Sequence, residues 1–380
     1  MVDQVAAFTD TYLPTVNGVT YTVATWQEHF HRLGSHMAVV YPDSDYDHHD
    51  LEHPVRSLPF PFYDGFRLGQ PTVPEALSRP DVVHAHTPFA LGLAGSRYAR
   101  RREIPLVATY HTPAAEYAGY VTPRGRLTRP LRTAATAYER WFYGRADLVV
   151  APSNAAREHV RERVGVSTPV AVVSNGVDLD RFRPVPDEAA AFRARHGLER
   201  ANDRFLIGYT GRHGHEKRLG ELIDAVAGFG GSGRGNRDGT LVLAGDGPAR
   251  SALERRATER GVDARFLGFL ERSELPAFYA SLDAFAFPSP VETQGLVALE
   301  SIATGTPVVA VNAGALTDTV EDGVTGKHYE RGDLESFRDG IRYVLEHRER
   351  LAANCLERRG AYGVNRSLER MRELYESVLE

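Results

Sequence analysis

The sequence predicts an α/β chain built as two doubly wound domains facing a cleft. Three observations carry this. Short apolar runs alternate with helical periodicity from end to end, the pattern of parallel strands covered by helices on both faces. At 380 residues, one core is less favourable than two domains of about 170–190 residues each. Polar residues able to meet a ligand gather where predicted strands end, which is where open α/β sheets bind. Apolar residues make up 42% and charged residues 25%, with a net charge of −5, so the chain carries no electrostatic footprint of a nucleic-acid binder. No apolar run approaches the roughly 18 residues a spanning helix needs. The N-terminus enters a strand without a basic region, which argues against a signal peptide. The single cysteine, Cys355, permits no internal disulfide and fits a cytosolic setting.

Residues 5–8 read as the first strand, followed by a turn-rich loop and a helix over about 21–33. Asn17-Gly18 in that loop allows positive φ and close backbone approach to a ligand. No G-x-G-x-x-G follows the strand, so this is not a dinucleotide fingerprint. Residues 37–41 form strand two. The polar stretch after it contains His48 and His49 beside Asp residues; lacking a partner at ligand spacing, it reads as a solvated loop. Residues 59–66, rich in proline and aromatics, suit an acceptor-side loop or ordinary packing. A strand from Asp81 carries His84 and His86, which point the same way; a zinc pair and a ligand-facing role are both open. The strand over 105–109 ends at Tyr110 and His111.

Arginines then stand at 124, 126, 129, 132, 140 and 145 against one acid, Glu139, after Arg97, Arg100, Arg101 and Arg102 upstream. With Trp141 and Tyr143 they suit an anionic membrane surface, although Tyr138, Trp141 and Phe142 share a helical face that fits a core equally. Residues 147–153 end the last strand of this half, residues 171–178 lead out of it, and 181–186 are the linker. A hinge at this point would absorb cleft closure.

The second half opens with a strand over 205–210 and a loop bearing Arg212 and Lys217, two cations suited to a diphosphate. Of 45 basic side chains only Lys217 and Lys327 are lysines, so a lysine here is not random decoration. Residues 228–239 read as a flexible glycine-rich surface loop, and 241–248 as a strand and tight turn, with Asp246, whose Pro248 starts a helix. Residues 265–271 are another strand-to-loop segment. The central stretch runs from a strand at 283–287, through a break at Pro288 and Pro290, into a helix over 296–303. Gly305 stops that helix before a buried strand at 307–310. The loop at 288–295 thus lies at a strand's carboxyl end and empties onto a helix N-terminus, which favours a phosphate. Eight helical steps would separate Glu292 from Glu300 by ~12 Å. Glycosidase carboxylate pairs span only ~5–9.5 Å. They therefore read as separate contacts on one extended ligand, or else as a solvated loop glutamate and a helix-dipole glutamate. The chain ends in helices, the last over about 367–379.

Glu292-Thr293-Gln294-Gly295-Leu296 through Glu300, with Gly18, His111, Asn175, Arg212, Lys217 and Asp246, resembles the E-x7-E pattern of retaining GT-B glycosyltransferases of family 4. The resemblance covers nearly the whole chain. It implies an N-terminal acceptor-binding Rossmann-like domain (1–174) onto which a C-terminal helix (about 367–380) crosses back. Residues 175–366 would form the nucleotide-sugar domain. His111, Glu292, Arg212 and Lys217 would be the catalytic set. Gly18, Asn175, Phe269, Leu270, Thr293, Gln294, Gly295, Leu296 and Glu300 would join Arg212, Lys217 and Glu292 in holding the donor, with Glu300 on the ribose and the backbone near Phe269 and Leu270 at the base. Tyr12, Asn17, His86 and Tyr110 would face the acceptor. The implied reaction moves a hexose from a nucleotide-sugar, a UDP-hexose before GDP-mannose, by a front-face route without cofactor or metal. No Asp-x-Asp metal motif stands at a strand end; Asp43-Ser-Asp45 lies in a polar loop. The wording looks most like diacylglycerol glucosyltransferases, lipid α-mannosyltransferases and sulfoquinovosyltransferases. A membrane lipid acceptor is therefore expected, with a peripheral position on the cytoplasmic membrane face through residues 97–102 and 124–145. A soluble sugar acceptor, a nucleotide-sugar epimerase of the same fold and a non-catalytic sugar-nucleotide binder are the alternatives.

Overall fold

The computed structural model describes residues 2–59, 67–111, 113, 128–199, 204–229 and 239–380. Two compact units emerge, one formed by 1–176 with 364–380 and the other by 177–363.

The first unit is organised by β1 (Gln4–Phe8), whose side chains alternate between two apolar layers. Val5 and Ala7 face one core cluster and Ala6 and Phe8 the other. A strand buried on both faces cannot spare a polar position, which is why it reads as an unbroken apolar run. After α1 (Gly18–Arg32), β2 (His36–Pro42) and β3 (Glu52–Val55) pair outward on one side of β1. A short antiparallel pair follows, β4 (Ser57–Pro59) with β5 (Arg67–Gly69); most of the aromatic loop expected at 59–66 lies outside the described residues. On the other side of β1 come β6 (Val82–Ala85), β7 (Leu106–Thr109), β8 (Leu148–Ala151) and β9 (Val170–Val172). Helix α2 (Ala90–Arg102) links β6 to β7, α3 (Thr128–Tyr143) precedes β8, and α4 (Asn154–Glu158) continues into a π-helical turn over His159–Val164. The strand order β3-β2-β1-β6-β7-β8-β9 reverses direction once, between β1 and β6.

The second unit repeats the plan after α5 (Pro186–Arg195). Its strands are β10 (Phe205–Thr210), β11 (Gly239–Ala244), β12 (Ala264–Gly268), β13 (Ala284–Phe287), β14 (Val308–Val311) and β15 (Gly326–Tyr329), in the order β12-β11-β10-β13-β14-β15, all parallel. The connecting helices are α6 (Leu219–Ala227), α7 (Arg250–Arg260), α8 (Leu275–Ser281), α9 (Leu296–Ala303), α10 (Leu316–Thr319) and α11 (Leu334–Glu346), then α12 (Arg348–Arg358). Here the reversal falls between β10 and β13. Most of the glycine-rich segment expected at 228–239 lies outside the described residues.

The last helix, α13 (Val364–Ser377), belongs to the first unit. Val364, Leu368, Met371, Leu374 and Tyr375 join Val23, Trp26 and Phe30 of α1 in one core cluster over the sheet. The boundary falls after Gly176, so Asn175 is part of the first unit rather than the second. Its carbonyl accepts the indole N–H of Trp26 at 2.7 Å, anchoring the chain where it leaves.

Met371 is fully buried, so Met371→Ala should cost about 2–5 kcal/mol. In calorimetry the loss should appear in the transition of the first unit only; a shift confined to the second would contradict the assignment of α13.

Candidate functional site

Where a doubly wound sheet reverses, the loops leaving the two central strands diverge and open a crevice at their carboxyl ends. Both units gather their predicted site residues there.

In the second unit, the loop after β10 carries Arg212 and Lys217, and the loop after β13 carries Glu292. Lys217 Nζ donates to Glu292 Oε1 at 2.6 Å, with both side chains largely buried. The two residues expected to take different parts of a ligand are thus already paired across the crevice. Arg212 lies 3.7 Å from Glu216 on the next turn. The turn after β11, seen in sequence as strand and turn only, is the buttress of this loop. His213 N donates to Asp246 O at 2.8 Å, and Ala249 N to His213 O at 2.9 Å. Gly245 is required for that approach: φ is +107°, and a Cβ there would lie 2.1 Å from the carbonyl oxygen of Gly211. Asp246 itself faces solvent and pairs with Arg250.

Gly295 begins α9 at φ +83°, and a Cβ there would stand 2.7 Å from Leu316. The first intrahelical bond is Ala298 N to Gly295 O, so the amides of Leu296 and Val297 precede the helical ladder at the positive end of the dipole. Thr293 is partly exposed and Gln294 is buried. Glu300 is 2% exposed. Both its oxygens are engaged, by Tyr279 Oη at 2.8 Å and Arg272 Nη1 at 3.3 Å. Burial pushes its carboxyl above the usual range, and the Arg272 guanidinium opposes this. Arg272 and Tyr279 were not foreseen; nothing in the sequence marks one arginine among many as the partner of a buried acid. Of the expected base-side pair, Phe269 is exposed and Leu270 buried.

In the first unit the crevice lies between the loops after β1 and β6. Asn17 has φ −160° and caps α1, its side chain accepting Thr20 N at 2.9 Å. Gly18 is therefore the first helical residue, and the positive φ expected at this pair is absent. Its lack of a side chain leaves open space, with nothing within 4 Å of a Cβ. Asp10, missed in sequence, is buried and ties the two loops together. One oxygen accepts Leu91 N at the start of α2 at 2.9 Å, and the other accepts Thr87 Oγ1 at 2.5 Å. Desolvation raises its pKa and these hydrogen bonds lower it. Tyr12 is committed to packing, its hydroxyl bonded to Gln27 and Glu52 at 2.8 Å each. Tyr110 is fully buried, its ring against Tyr143 and His159.

His84, His86 and His111 form a buried series of near-parallel rings. His84 bonds Tyr375 Oη and Thr109 Oγ1, each at 2.6 Å. Its ring stacks on His86 at 4.0 Å, and His86 Nδ1 lies 3.0 Å from His111 Nε2. Burial pushes His84 and His111 down to about 3 and His86 well below its ordinary value, helped there by the neighbouring imidazoles. The rings stack rather than converge, and among the described residues no group of three His, Cys, Asp or Glu side chains is placed to hold a metal ion.

The basic surface divides. Phe142 and Tyr143 are core residues, whereas Trp141 is 43% exposed with the Arg145 guanidinium 3.6 Å over its ring. Residues 130–134 of α3 are exposed, a full turn of helix open to solvent. A cavity of about 470 Å³ is lined by Arg97, Arg100, Trp141 and Arg145 together with residues 104–106 and 147. Those last residues precede β7 and β8, so the cavity lies at the opposite end of the sheet from His86 and His111. Residues 124–127 are outside the described residues. No described helix is long and apolar enough to cross a membrane.

Two doubly wound units, each with polar side chains at its switch point, have the architecture of GT-B glycosyltransferases. Residues 16–181 match Glycosyltransferase Family 4, and 192–359 match Glycosyl transferases group 1. A GDP-mannose-dependent alpha-mannosyltransferase of Mycobacterium tuberculosis is 32% identical over 92% of this chain and 90% of its own. Alpha-monoglucosyldiacylglycerol synthase of Streptococcus pneumoniae is 29% identical over 86% and 75%. Among solved structures, sucrose-phosphate synthase from Thermosynechococcus elongatus superposes with a TM-score of 0.79 at 21% identity, covering 99% of both chains. Anabaena HepE in complex with UDP-glucose gives 0.71 at 20% identity, covering 99% of this chain and 100% of that one. The chain belongs to glycosyltransferase family 4 and is a retaining glycosyltransferase.

Two outcomes follow from the buried charges. Arg272→Met should destabilise the second unit by about 3–5 kcal/mol at pH 7, because it strands the buried Glu300 carboxylate. The loss should shrink on acidification, as the carboxyl takes up a proton; equal losses at pH 7 and pH 5 in denaturant titrations would contradict this. The three histidines have depressed pKa values, so they stabilise the first unit above their unfolded pKa of about 6.5. That stability should fall as pH drops from there towards 3, by up to about 1.4 kcal/mol per pH unit for each ring. His84→Gln should flatten the slope measured by thermal unfolding.

Proposed function

We propose that the protein transfers a hexosyl group, with retention, from a nucleoside diphosphate hexose to the hydroxyl of a membrane lipid. The Lys217–Glu292 pair across the second switch point carries this reading. A lysine neutralised by a carboxylate at a helix N-terminus is set to exchange that partner for a diphosphate. Lys217, Arg212 and the amides of Gly295 and Leu296 take the diphosphate and stabilise the charge that grows on it as it leaves. Glu292, released from Lys217, accepts hydroxyls of the sugar, and His111 of the first unit meets the sugar near the reacting carbon. Thr293 and Gln294 line the loop beside them. Glu300 receives the ribose, held ready by Arg272 and Tyr279. The backbone at Phe269 and Leu270 receives the base. The bond from the anomeric carbon to the phosphate oxygen breaks, and the acceptor oxygen bonds the same face. The acceptor proton passes to the departing phosphate, so no side-chain nucleophile, cofactor or metal is needed.

Gly18, with open space where a side chain would stand, and Asn17 beside it lie at the first unit's crevice, where an acceptor would enter. Tyr12 and Tyr110, committed to packing, support that wall rather than touch substrate, and Asn175 anchors the chain at the boundary. The lipid acceptor draws support from the relative named alpha-monoglucosyldiacylglycerol synthase. The exposed turn at residues 130–134 of α3, with Arg132, would supply a cation for anionic lipid headgroups and would hold the enzyme peripherally on the cytoplasmic membrane face. The arginines around Trp141 line a cavity at the far end of the sheet, so residues 130–134 are the better candidate for the membrane-facing element.

Thermal shift with UDP-glucose and GDP-mannose should show saturable stabilisation by one donor. Lys217→Ala should abolish it and reduce kcat/KM by roughly 10²–10³-fold. Transfer should need diacylglycerol or phosphatidylinositol vesicles; equal transfer to a soluble sugar without lipid would overturn the acceptor, and no response to either donor would overturn the donor site.

A further inference from the structure

In the histidine series beside the first switch point, one nitrogen of His86 has no partner among the described residues. His86 is 1% exposed. Its Nδ1 lies 3.0 Å from His111 Nε2, while its own Nε2 reaches no hydrogen-bonding atom among the described residues. Two neutral imidazoles sharing one hydrogen bond must divide the roles, one donating and the other accepting. If His111 donated, His86 would carry its proton on Nε2, a buried N–H with nothing to receive it. Folded chains avoid an orphaned buried N–H more strictly than a bare acceptor lone pair. The proton of His86 therefore belongs on Nδ1, donated to His111, and the proton of His111 belongs on its own Nδ1.

The His86 ring is in turn held. Its backbone N–H bonds Phe8 O at 2.8 Å, Trp26 meets it edge-on at 5.8 Å, and it stacks on His84. His84 is pinned through both nitrogens, by Thr109 of β7 and Tyr375 of α13.

We propose that His86 is a positioning residue for the transfer reaction, donating Nδ1–H to His111 Nε2 and so fixing His111 in one orientation and in the Nδ1–H tautomer. This rests on the reading of His111 as a contact of the donor sugar. It assigns His86 a role behind the substrate rather than on the acceptor side, where its place after β6 alone would put it.

The test is long-range proton–nitrogen correlation on the full chain labelled in histidine, with the His111 signal assigned by its loss in His111→Gln. The wild type should show one His111 tautomer, protonated on Nδ1. His86→Leu should give a mixture of tautomers and lower kcat by roughly 10- to 100-fold, the order expected when a positioned group is released, with donor KM little changed. His86→Asn, whose amide can place an N–H where Nδ1–H stood, should restore both the single tautomer and most of the rate. An Nε2–H tautomer in the wild type, or an unchanged Nδ1–H tautomer in His86→Leu, overturns the proposal. If the tautomer responds but transfer is unaffected in both His86→Leu and His111→Gln, the positioning stands and the reading of His111 falls.

Discussion

Parallel pairing is the constraint from which the rest descends. Most strands return through a covering helix before the next can pair, so both faces of a sheet become apolar and the loops at one edge point the same way. Polar chemistry is then possible at that edge alone, and a crevice deep enough for a ligand exists only where the winding reverses. Each sheet reverses once, and each reversal gathers acids, cations or imidazoles that are scattered along the sequence. Lys217 and Glu292 are 75 positions apart, yet meet because β10 and β13 are neighbours.

The two crevices solve the burial of polar groups differently. The second keeps ionised groups and matches them: Lys217 with Glu292, Arg272 with Glu300. Each pair offsets the desolvation of its members. The first keeps its imidazoles neutral, since stacked rings sealed from water cannot carry adjacent positive charges. The second crevice therefore holds matched opposite charges and the first a set of fixed, neutral hydrogen-bonding rings.

Strands and helices were legible in the sequence because buried parallel strands are short apolar runs and their helices carry the complementary period. The loop residues were legible because glycines and charges at strand ends have few other uses. What escaped depended on distant partners. Asp10 looks like one more residue of a turn until α2 is seen to start on it. Tyr12 looked ligand-facing because its place in the loop after β1 does not reveal that its hydroxyl is already bonded to Gln27 and Glu52. The antiparallel β4–β5 pair and the π-helical turn after α4 are too short for a period to declare itself. Trp141 and Phe142, adjacent on one helix, separated into solvent and core, a distinction of one residue that helical periodicity resolves only when the packing partner is known.

The return of α13 to the first unit makes the second unit an insertion. Val177 N bonds Tyr362 O at 2.8 Å, so the inserted segment begins and ends at adjacent points. During synthesis the residues up to 176 emerge long before the helix that seals their sheet. One face, including Trp26 and Phe30, stays uncovered until α13 has left the ribosome. The inserted unit, whose strands and helices are all contiguous, can close first. The later half of the chain can thus complete its core before the earlier half, which waits for its last helix.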